Sequence, residues 1–255
     1  MTETSTLERA LEALTGANRL VVVTGAGMSH DSGVPTFRDA MTGLWAQYDP
    51  HELASEDAYR RNPARVFGWY LWRWCLVRSV EPHPGYHALT RLEAGTDDFL
   101  VATQNVDGLH SRGGNQRIVE LHGSLTAFRC FDNGHPYDSA KLESLTALSG
   151  EEVEPPRCQE CGSPIRPGVV WFGESLPQMA VKQAWSAVAA CDALMVIGTS
   201  ALVYPAAELP SLAMRKGVPV VEINPDLTPI SHEVTVSWSE RAAVALPALV
   251  DRLIQ

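Results

Sequence analysis

Short apolar runs, separated by stretches of helical length, constrain the fold of this chain more than any other feature. The runs lie at Leu20–Val23, Phe99–Ala102, Ala193–Ile197 and Val218–Ile223, with a weaker one at Val234–Val236. Runs this short and this rich in Val and Ile are typical of buried parallel strands. The helical stretches lie at Thr6–Leu14, Pro63–Val77 and Met179–Ala190. This alternation predicts an α/β fold with a doubly wound parallel sheet.

Two segments do not fit the alternation. Residues 41–80 are helical in character and rich in Trp and Tyr, and residues 124–167 carry three of the five cysteines. We interpret both as insertions that together form one smaller module. The sheet domain then consists of residues 1–40, 81–123 and 168–255, and we expect ligands beyond the carboxyl ends of its strands.

Charge limits the partners that this chain is expected to bind. Its 255 residues carry a formal net charge of −10. An acidic surface repels nucleic acid and anionic membranes and favours basic partners such as lysine-rich protein segments. The N-terminal residues lack the pattern of a secretory signal, and no apolar run is long enough to predict a membrane span. We therefore expect a cytoplasmic protein with no nucleic-acid or membrane partner. We also expect a monomer.

The first predicted strand ends in a glycine-rich turn at Gly25–Ser29. Such a turn suits a pyrophosphate, because glycine permits tight backbone conformations and exposed N–H groups can bond phosphate. His30 stands where the dinucleotide fingerprint has its third glycine, so the turn alone is equally consistent with a structural role. Phe37 and Arg38 follow Pro35, and we expect them on a loop that faces the strand ends and shields a nucleotide.

Polar side chains follow the next predicted strand. Gln104, Asn105 and Asp107 come directly after Phe99–Ala102. A neighbouring amide and carboxylate can hold a carboxamide, although an Asx-rich turn that caps the next helix explains them equally well. His122 stands between an apolar residue and a glycine, and spacing alone does not distinguish it from the other histidines.

Two further strand ends carry groups that can bond phosphate or ribose. The residues are Gly198, Thr199, Ser200 and Asn224. Hydroxyl and amide side chains at the carboxyl ends of neighbouring parallel strands converge on one edge of the sheet. The prediction of a nucleotide-binding site therefore rests on several strand ends and not on the first turn alone.

The second insertion has the composition of an incomplete zinc ribbon. Cys130 is followed by the pair Cys158 and Cys161, which has C-x-x-C spacing. In a cytosolic chain this spacing favours a metal over a disulfide. Structural zinc takes four ligands, usually thiolate or imidazole, and His135 or Asp132 could supply the fourth. The alternative is a module that has lost its metal and holds together by packing.

Tyr70 and Arg73 lie three residues apart in the aromatic-rich part of the first insertion, so on a helix they share one face. An aromatic helix usually packs into a core, with an arginine reaching out to solvent. A phenol beside a guanidinium also makes a clamp for a carboxylate.

Several of these motifs, taken in order, resemble the sirtuin family. The motifs that match the family are Gly25–Ser29 with Ser32–Arg38, the run T-Q-N-V-D-G-L-H at Thr103–His110, the pair His122-Gly123, and the G-T-S and I-N sequences at two strand ends. The resemblance implies a Rossmann-like NAD-binding domain with a zinc-ribbon-like and helical small module. It also implies an NAD-dependent protein-lysine deacylase that acts on acylated lysine segments of proteins.

The resemblance also implies roles for individual residues. NAD is expected to contact Gly25, Ala26, Gly27, Ser29, Phe37, Arg38, Gln104, Asn105, Asp107, Gly198, Thr199, Ser200, Asn224 and, on the adenine side, Ala242. His122 is the expected general base, which suits imidazole near neutral pH. The cysteines are expected to hold a structural zinc.

The acyl group is expected to meet a second set of residues. Sirtuins that remove succinyl and malonyl groups, which include the bacterial class III type, carry a Y-x-x-R pair in the region of Tyr70 and Arg73. The substrate peptide is expected to pair by strand addition with Val170, Trp171 and Phe172. We therefore expect a deacylase that accepts acidic acyl groups, alongside or instead of acetyl.

Three alternatives remain at this point. The same fold could hydrolyse NAD or transfer ADP-ribose, if His30 changes the access of water. A peptide-binding or nucleotide-sensing module is disfavoured, because binding alone requires no base such as His122. A hydride-transferring dehydrogenase is disfavoured by the absent third glycine.

Overall fold

The computed structural model describes residues 5–35 and 49–254. The strands in these ranges are β1 (Arg19–Thr24), β2 (Asp98–Thr103), β3 (Ile118–Glu120), β4 (Gly123–Cys130), β5 (Pro136–Tyr137), β6 (Ile165–Val169), β7 (Ala193–Ile197), β8 (Val220–Ile223) and β9 (Val236–Trp238). The helices are α1 (Thr6–Leu14), α2 (Gly27–His30), α3 (Pro50–Leu53), α4 (Glu56–Arg61), α5 (Pro63–Ser79), α6 (Pro84–Ala94), α7 (Leu109–Gly113), α8 (Gln178–Ala190), α9 (Glu208–Arg215) and α10 (Ala242–Leu253), with a 3₁₀ helix at Ser139–Leu148. None of the described helices is long and apolar enough to cross a membrane.

The main sheet has six strands in the order β3-β2-β1-β7-β8-β9, and every neighbouring pair is parallel. Val22 at the centre of β1 pairs with Val101 of β2 on one side and Met195 of β7 on the other. After β1, the chain therefore adds β2 and β3 on one side of that strand, and later adds β7, β8 and β9 on the other side. This topology confirms the predicted doubly wound α/β fold and puts a switch point between β1 and β7.

Both faces of the sheet are covered, which explains why its strands are continuous apolar runs. Leu20 and Val22 belong to one hydrophobic cluster, which also contains residues of α1, α6 and α10. Val21 and Val23 belong to a second cluster, with residues of α8 and α9. Alternate side chains of a strand point to opposite faces, so each strand contributes to both cores.

The two segments that do not fit the alternation of strands and helices, residues 41–80 and 124–167, contribute the elements of a smaller module. A three-stranded antiparallel sheet, ordered β5-β4-β6, comes from the second segment, and α3, α4 and α5 lie in the described part of the first. Trp74 of α5 packs edge-on against Phe128 of β4, with ring centroids 5.9 Å apart. This contact joins the two segments. The exact domain boundaries stay a prediction.

The strand limits differ from the predicted ones where turn residues intervene. The run expected from Val218 begins as a strand only at Val220, because α9 ends in a turn at Gly217 with a positive φ of 71°. The run expected at Val234–Val236 is paired only from Val236 onward. The edge strand β3 has only three residues and was not among the apolar runs.

Candidate active site

A large cavity lies at the carboxyl ends of β1, β2, β7 and β8, with a volume of about 1440 Å³. All of the expected NAD-binding residues in the described ranges line it except Ala242. These are Gly25, Ala26, Gly27, Ser29, Gln104, Asn105, Asp107, Gly198, Thr199, Ser200 and Asn224. His122, Tyr70, Arg73, Val170, Trp171 and Phe172 line the same cavity. Residues far apart in sequence are thus brought together at the place where a doubly wound sheet binds ligands.

The two glycines of the first turn are required by close packing against β7. A Cβ on Gly25 would lie 2.7 Å from the Thr199 Cβ, and one on Gly27 would lie 2.8 Å from the Gly198 Cα. The N–H of Gly25 donates to the Ile197 carbonyl at 3.0 Å, and that of Gly27 to the Gly198 carbonyl at 2.7 Å. These two N–H groups are therefore bonded within the protein, a different use of the glycines from the phosphate contacts expected from the sequence.

Thr199 connects three strand ends. Its hydroxyl accepts a hydrogen bond from the Gln104 amide at 3.0 Å, and its carbonyl accepts one from the Asn224 amide at 3.0 Å. Asn224 follows β8 and Gln104 follows β2, while Thr199 follows β7. The polar groups predicted at separate strand ends therefore form one bonded wall of the cavity.

Asn105 and Asp107 are buried beneath the cavity, with exposed fractions of 8% and 5%. The Ser29 hydroxyl donates to the Asp107 carboxylate at 2.6 Å and accepts from the Asn105 amide at 2.9 Å. Burial raises the pKa of Asp107, and the bonds from Ser29 and the Leu109 N–H oppose that rise. We call these three side chains the polar floor; an amide and a carboxylate side by side suit a carboxamide.

His122 lies in the short connection between β3 and β4. Its Nδ1 is 3.0 Å from the Gln104 carbonyl oxygen. Because a carbonyl only accepts, Nδ1 carries the proton and Nε2 is the unprotonated nitrogen. Burial lowers the pKa of His122 below the usual 6.5, with the bond to Gln104 opposing. The lowered pKa favours the neutral imidazole, which is the form that acts as a base.

Tyr70 and Arg73 lie on one side of α5 and form part of the cavity wall with Trp171. The Arg73 guanidinium carbon lies 4.9 Å from the Trp69 ring centroid and 6.0 Å from that of Tyr70. Burial raises the pKa of Tyr70 to about 12 and lowers that of Arg73. A neutral phenol and a guanidinium thus lie together in a desolvated part of the cavity.

An ion pair between a buried arginine and a part-buried glutamate supports the segment with Val170, Trp171 and Phe172. Arg166 pairs with Glu174, and the Arg166 guanidinium lies 3.4 Å from the centroid of the Trp171 ring. The backbone N–H groups of the segment all donate within the protein, to the His122 carbonyl, the Glu174 carboxylate and the Ala54 carbonyl, respectively. Pairing between a peptide and these three residues would therefore use their carbonyl oxygens.

Cys130, His135, Cys158 and Cys161 form a cluster in which all ligand atoms lie within 4.8 Å of one another. The sulfurs of Cys130 and Cys161 are 3.7 Å apart, and the Cys158 sulfur is 3.5 Å from Nδ1 of His135. Zinc–sulfur bonds of about 2.3 Å in a tetrahedron require edges of about 3.8 Å, so the four atoms fit zinc. Of the two candidates for the fourth ligand, the structure selects His135.

Comparison with known proteins assigns the chain to a family. The model of the Sir2 family matches residues 25–205. An NAD-dependent protein deacylase of Mycobacterium tuberculosis (strain ATCC 25618 / H37Rv) is 50% identical over 235 residues, which cover 92% of this chain and 98% of that protein. The chain belongs to the Sir2 family. The resemblance to sirtuins is thereby confirmed.

Solved structures of Sir2 proteins share the fold. A complex of a Sir2 homologue with NAD superposes with a TM-score of 0.88 at 38% identity, over 96% of this chain and 93% of that one. A Sir2 variant with a deacetylated p53 peptide and 3′-O-acetyl-ADP-ribose superposes with a TM-score of 0.82 at 28% identity, over 96% and 98% of the two chains. The Rossmann-like description of the main sheet therefore holds.

Two expected NAD-binding residues, Phe37 and Arg38, lie outside the described residues of this Sir2 chain. Of the expected residues that are described, Ala242 does not line the cavity. Ala242 is buried at the start of α10, and the neighbouring Arg241 lines the cavity instead. The resemblance implied the adenine-side contact at Ala242, and the structure puts the preceding residue, Arg241, in the cavity lining. Its guanidinium lies 3.4 Å from the carboxylate of Asp31, which also lines the cavity.

The Sir2 cluster of three cysteines and one histidine predicts a zinc whose binding depends on His135. Replacing His135 with Ala removes one of four ligands, so we expect less than one zinc per chain and a lower unfolding temperature. His135→Cys should keep the metal. Elemental analysis and thermal denaturation of protein purified without added metal measure both effects. Exposed His232→Ala serves as the control, and wild-type protein without zinc would contradict the assignment.

Proposed function

We propose that this Sir2-family chain is an NAD-dependent protein-lysine deacylase in which His122 is the general base. One observation carries the proposal: a neutral imidazole and a polar floor suited to a carboxamide line the same cavity. The related chains named NAD-dependent protein deacylase support the activity. The Sir2 complexes with NAD and with acetyl-ADP-ribose support the co-substrate and the product.

Two parts of the cavity, the polar floor and the wall around Thr199, would have different roles in the reaction. Bound NAD supplies an electrophilic ribose carbon and a leaving group, nicotinamide, whose carboxamide the polar floor would hold. The wall around Thr199 would contact phosphate and ribose. The acyl carbonyl oxygen would displace nicotinamide from the ribose carbon. Nε2 of His122 would then remove a proton from a neighbouring ribose hydroxyl, which would attack the former carbonyl carbon. Water would complete the reaction, so that free lysine leaves and the acyl group stays on ADP-ribose. The ribose carbon must be shielded from water until the acyl group reacts, because water would otherwise take its place.

The substrate is an acylated lysine in a protein segment, and the cavity wall suggests which acyl groups it accepts. Tyr70 and Arg73 present a buried phenol and a half-buried guanidinium, where a carboxylate would otherwise be costly to desolvate. A succinyl or malonyl group carries such a carboxylate at its far end. We propose that acidic acyl groups are accepted together with acetyl or in preference to it.

Replacing His122 with Ala removes the base and should lower deacylation by about 100-fold or more. Mass spectrometry of matched acetyl-lysine and succinyl-lysine peptides, with and without NAD, measures acyl loss and acyl-ADP-ribose together. His232→Ala, a change to an exposed histidine, should match wild type. Unchanged acyl loss in the His122 variant would remove this residue from the catalytic role.

Replacing Arg73 with Met should weaken desuccinylation far more than deacetylation. A charge-assisted hydrogen bond to a carboxylate is worth about 1.5–3 kcal/mol, so we expect kcat/KM for the succinyl peptide to fall by roughly 10- to 150-fold. Arg78→Met is a matched control, because Arg78 lies on the same helix, stacks on Trp74 and pairs with the exposed Glu143. Equal losses for both acyl groups would exclude the carboxylate clamp.

Hydrolysis of NAD or transfer of ADP-ribose on the same fold is the second candidate. The observation that favours it is His30, which is exposed and lines the cavity. A polar side chain there could admit water to the ribose. The cytoplasmic location, the monomeric state and the lack of nucleic-acid and membrane partners stay predictions from composition.

A further inference from the structure

Tyr86 of α6 places a hydroxyl directly behind the polar floor, although it belongs to none of the motifs that point to NAD. The side chain has an exposed fraction of 0%. Its Oη lies 2.8 Å from the Oγ of Ser29. A buried polar group usually has a partner, so the contact by itself would be unremarkable. Its significance comes from the number of bonds that Ser29 already makes.

The hydrogen-bonding capacity of Ser29 fixes the direction of the bond from Tyr86. A hydroxyl has one hydrogen and two lone pairs. Ser29 donates its hydrogen to Oδ2 of Asp107 at 2.6 Å and accepts from Nδ2 of Asn105 at 2.9 Å. One lone pair is left, so Tyr86 must be the donor in the third bond. Burial raises the pKa of Tyr86 well above its ordinary value, which keeps that donor hydrogen in place.

The same accounting fixes the orientation of Asn105. Its Nδ2 donates one hydrogen to Ser29 and the other to the Gly25 carbonyl at 2.9 Å. Within the described residues, both amide hydrogens are therefore used, and Oδ1 is the side-chain atom left for a ligand. Asp107 likewise offers only lone pairs while it is ionised. The floor thus presents acceptors, which suit the NH₂ group of a carboxamide.

We propose that Tyr86 is a positioning residue for the nicotinamide end of NAD, acting through Ser29. By occupying the last lone pair of Ser29, it keeps the Ser29 hydrogen directed at Asp107 and the Asn105 oxygen directed at the ligand. Without the Tyr86 hydroxyl, Ser29 and the Asn105 amide can rotate to other bonds. This inference rests on the proposed function, because it assumes that the carboxamide of NAD meets the floor.

The surroundings of Tyr86 allow its hydroxyl to be removed without moving its ring. The ring packs between His83 and His110, each with its centroid 4.8 Å away. On the side of α7, a Cβ added to Gly113 would lie 2.8 Å from the Tyr86 Cβ, so the backbone approaches closely. Phenylalanine fills nearly the same volume, so Tyr86→Phe removes the hydroxyl with its hydrogen bond to Ser29 and leaves the packing.

The test compares two ligands that differ by nicotinamide alone. Isothermal titration with NAD and with ADP-ribose is carried out on wild type, Tyr86→Phe and Tyr59→Phe. Tyr59 is a matched control, because its buried hydroxyl donates to the Ile165 carbonyl in the smaller module. We expect Tyr86→Phe to weaken NAD binding by roughly ten-fold, the effect of one lost hydrogen bond, and ADP-ribose binding by less than about two-fold. Tyr59→Phe should leave the ratio of the two affinities unchanged.

A second set of variants tests whether Tyr86 acts through Ser29. In a Ser29→Ala background the partner is absent, so adding Tyr86→Phe should cause no further loss of NAD affinity. Equal losses for NAD and ADP-ribose in Tyr86→Phe, whether from a damaged site or a damaged fold, would overturn the inference. So would an additive loss in the double variant. A wild type that binds no NAD would overturn the proposed function itself.

Discussion

The active site depends on the tight contact between the ends of β1 and β7. Gly25 and Gly27 approach the Gly198–Thr199 backbone so closely that a Cβ on either glycine would overlap it. Hydrogen bonds from both glycine N–H groups close this contact. Because Thr199 also holds Gln104 and Asn224, four strand ends are fixed relative to one another. A cavity built on such a contact is formed before any ligand binds, which reduces the entropy cost of binding.

Tyr70 and Arg73 of the smaller module and the adjoining segment Val170–Phe172 form another wall of the cavity. This segment is supported by an ion pair between the buried Arg166 and the part-buried Glu174, with the guanidinium against the ring of Trp171. A buried pair of this kind adds little net stability but holds its neighbours in one arrangement when all of its hydrogen bonds are made. Arg166 also donates to the Val169 carbonyl, and Glu174 accepts from the Trp171 N–H. The segment expected to meet the peptide is thereby held beside His122, whose carbonyl accepts from Val170.

Much of this arrangement was predictable from the sequence, because buried parallel strands leave a strong local pattern. The apolar runs located β1, β2, β7 and β8, and parallel topology requires the polar residues after them to meet. The three-residue strand β3 is too short to produce a periodic signal, and a turn at Gly217 displaced the start of β8. The local hydrophobic pattern locates the strands, whereas turn residues determine where each strand begins and ends.

Other features could not be found from the sequence, since they depend on contacts between distant segments. Asp132 and His135 were equal candidates as the fourth zinc ligand until the fold put Nδ1 of His135 beside Cys158. Tyr86 looks like an ordinary helix residue, and only the fold brings its hydroxyl to Ser29, 57 positions earlier. Arg241 reaches the cavity although its neighbour Ala242 was the residue expected there. In each case the role of the residue depends on which distant residues the fold brings next to it.

The central claim is that this cavity couples the breakdown of NAD to the removal of an acyl group from lysine. The most direct test is the ratio of nicotinamide released to lysine deacylated, measured by chromatography over a time course with and without acyl-peptide. The account predicts one nicotinamide for each free lysine and almost no NAD loss when peptide is absent. NAD loss at the same rate without peptide would contradict the coupling and favour an NAD hydrolase.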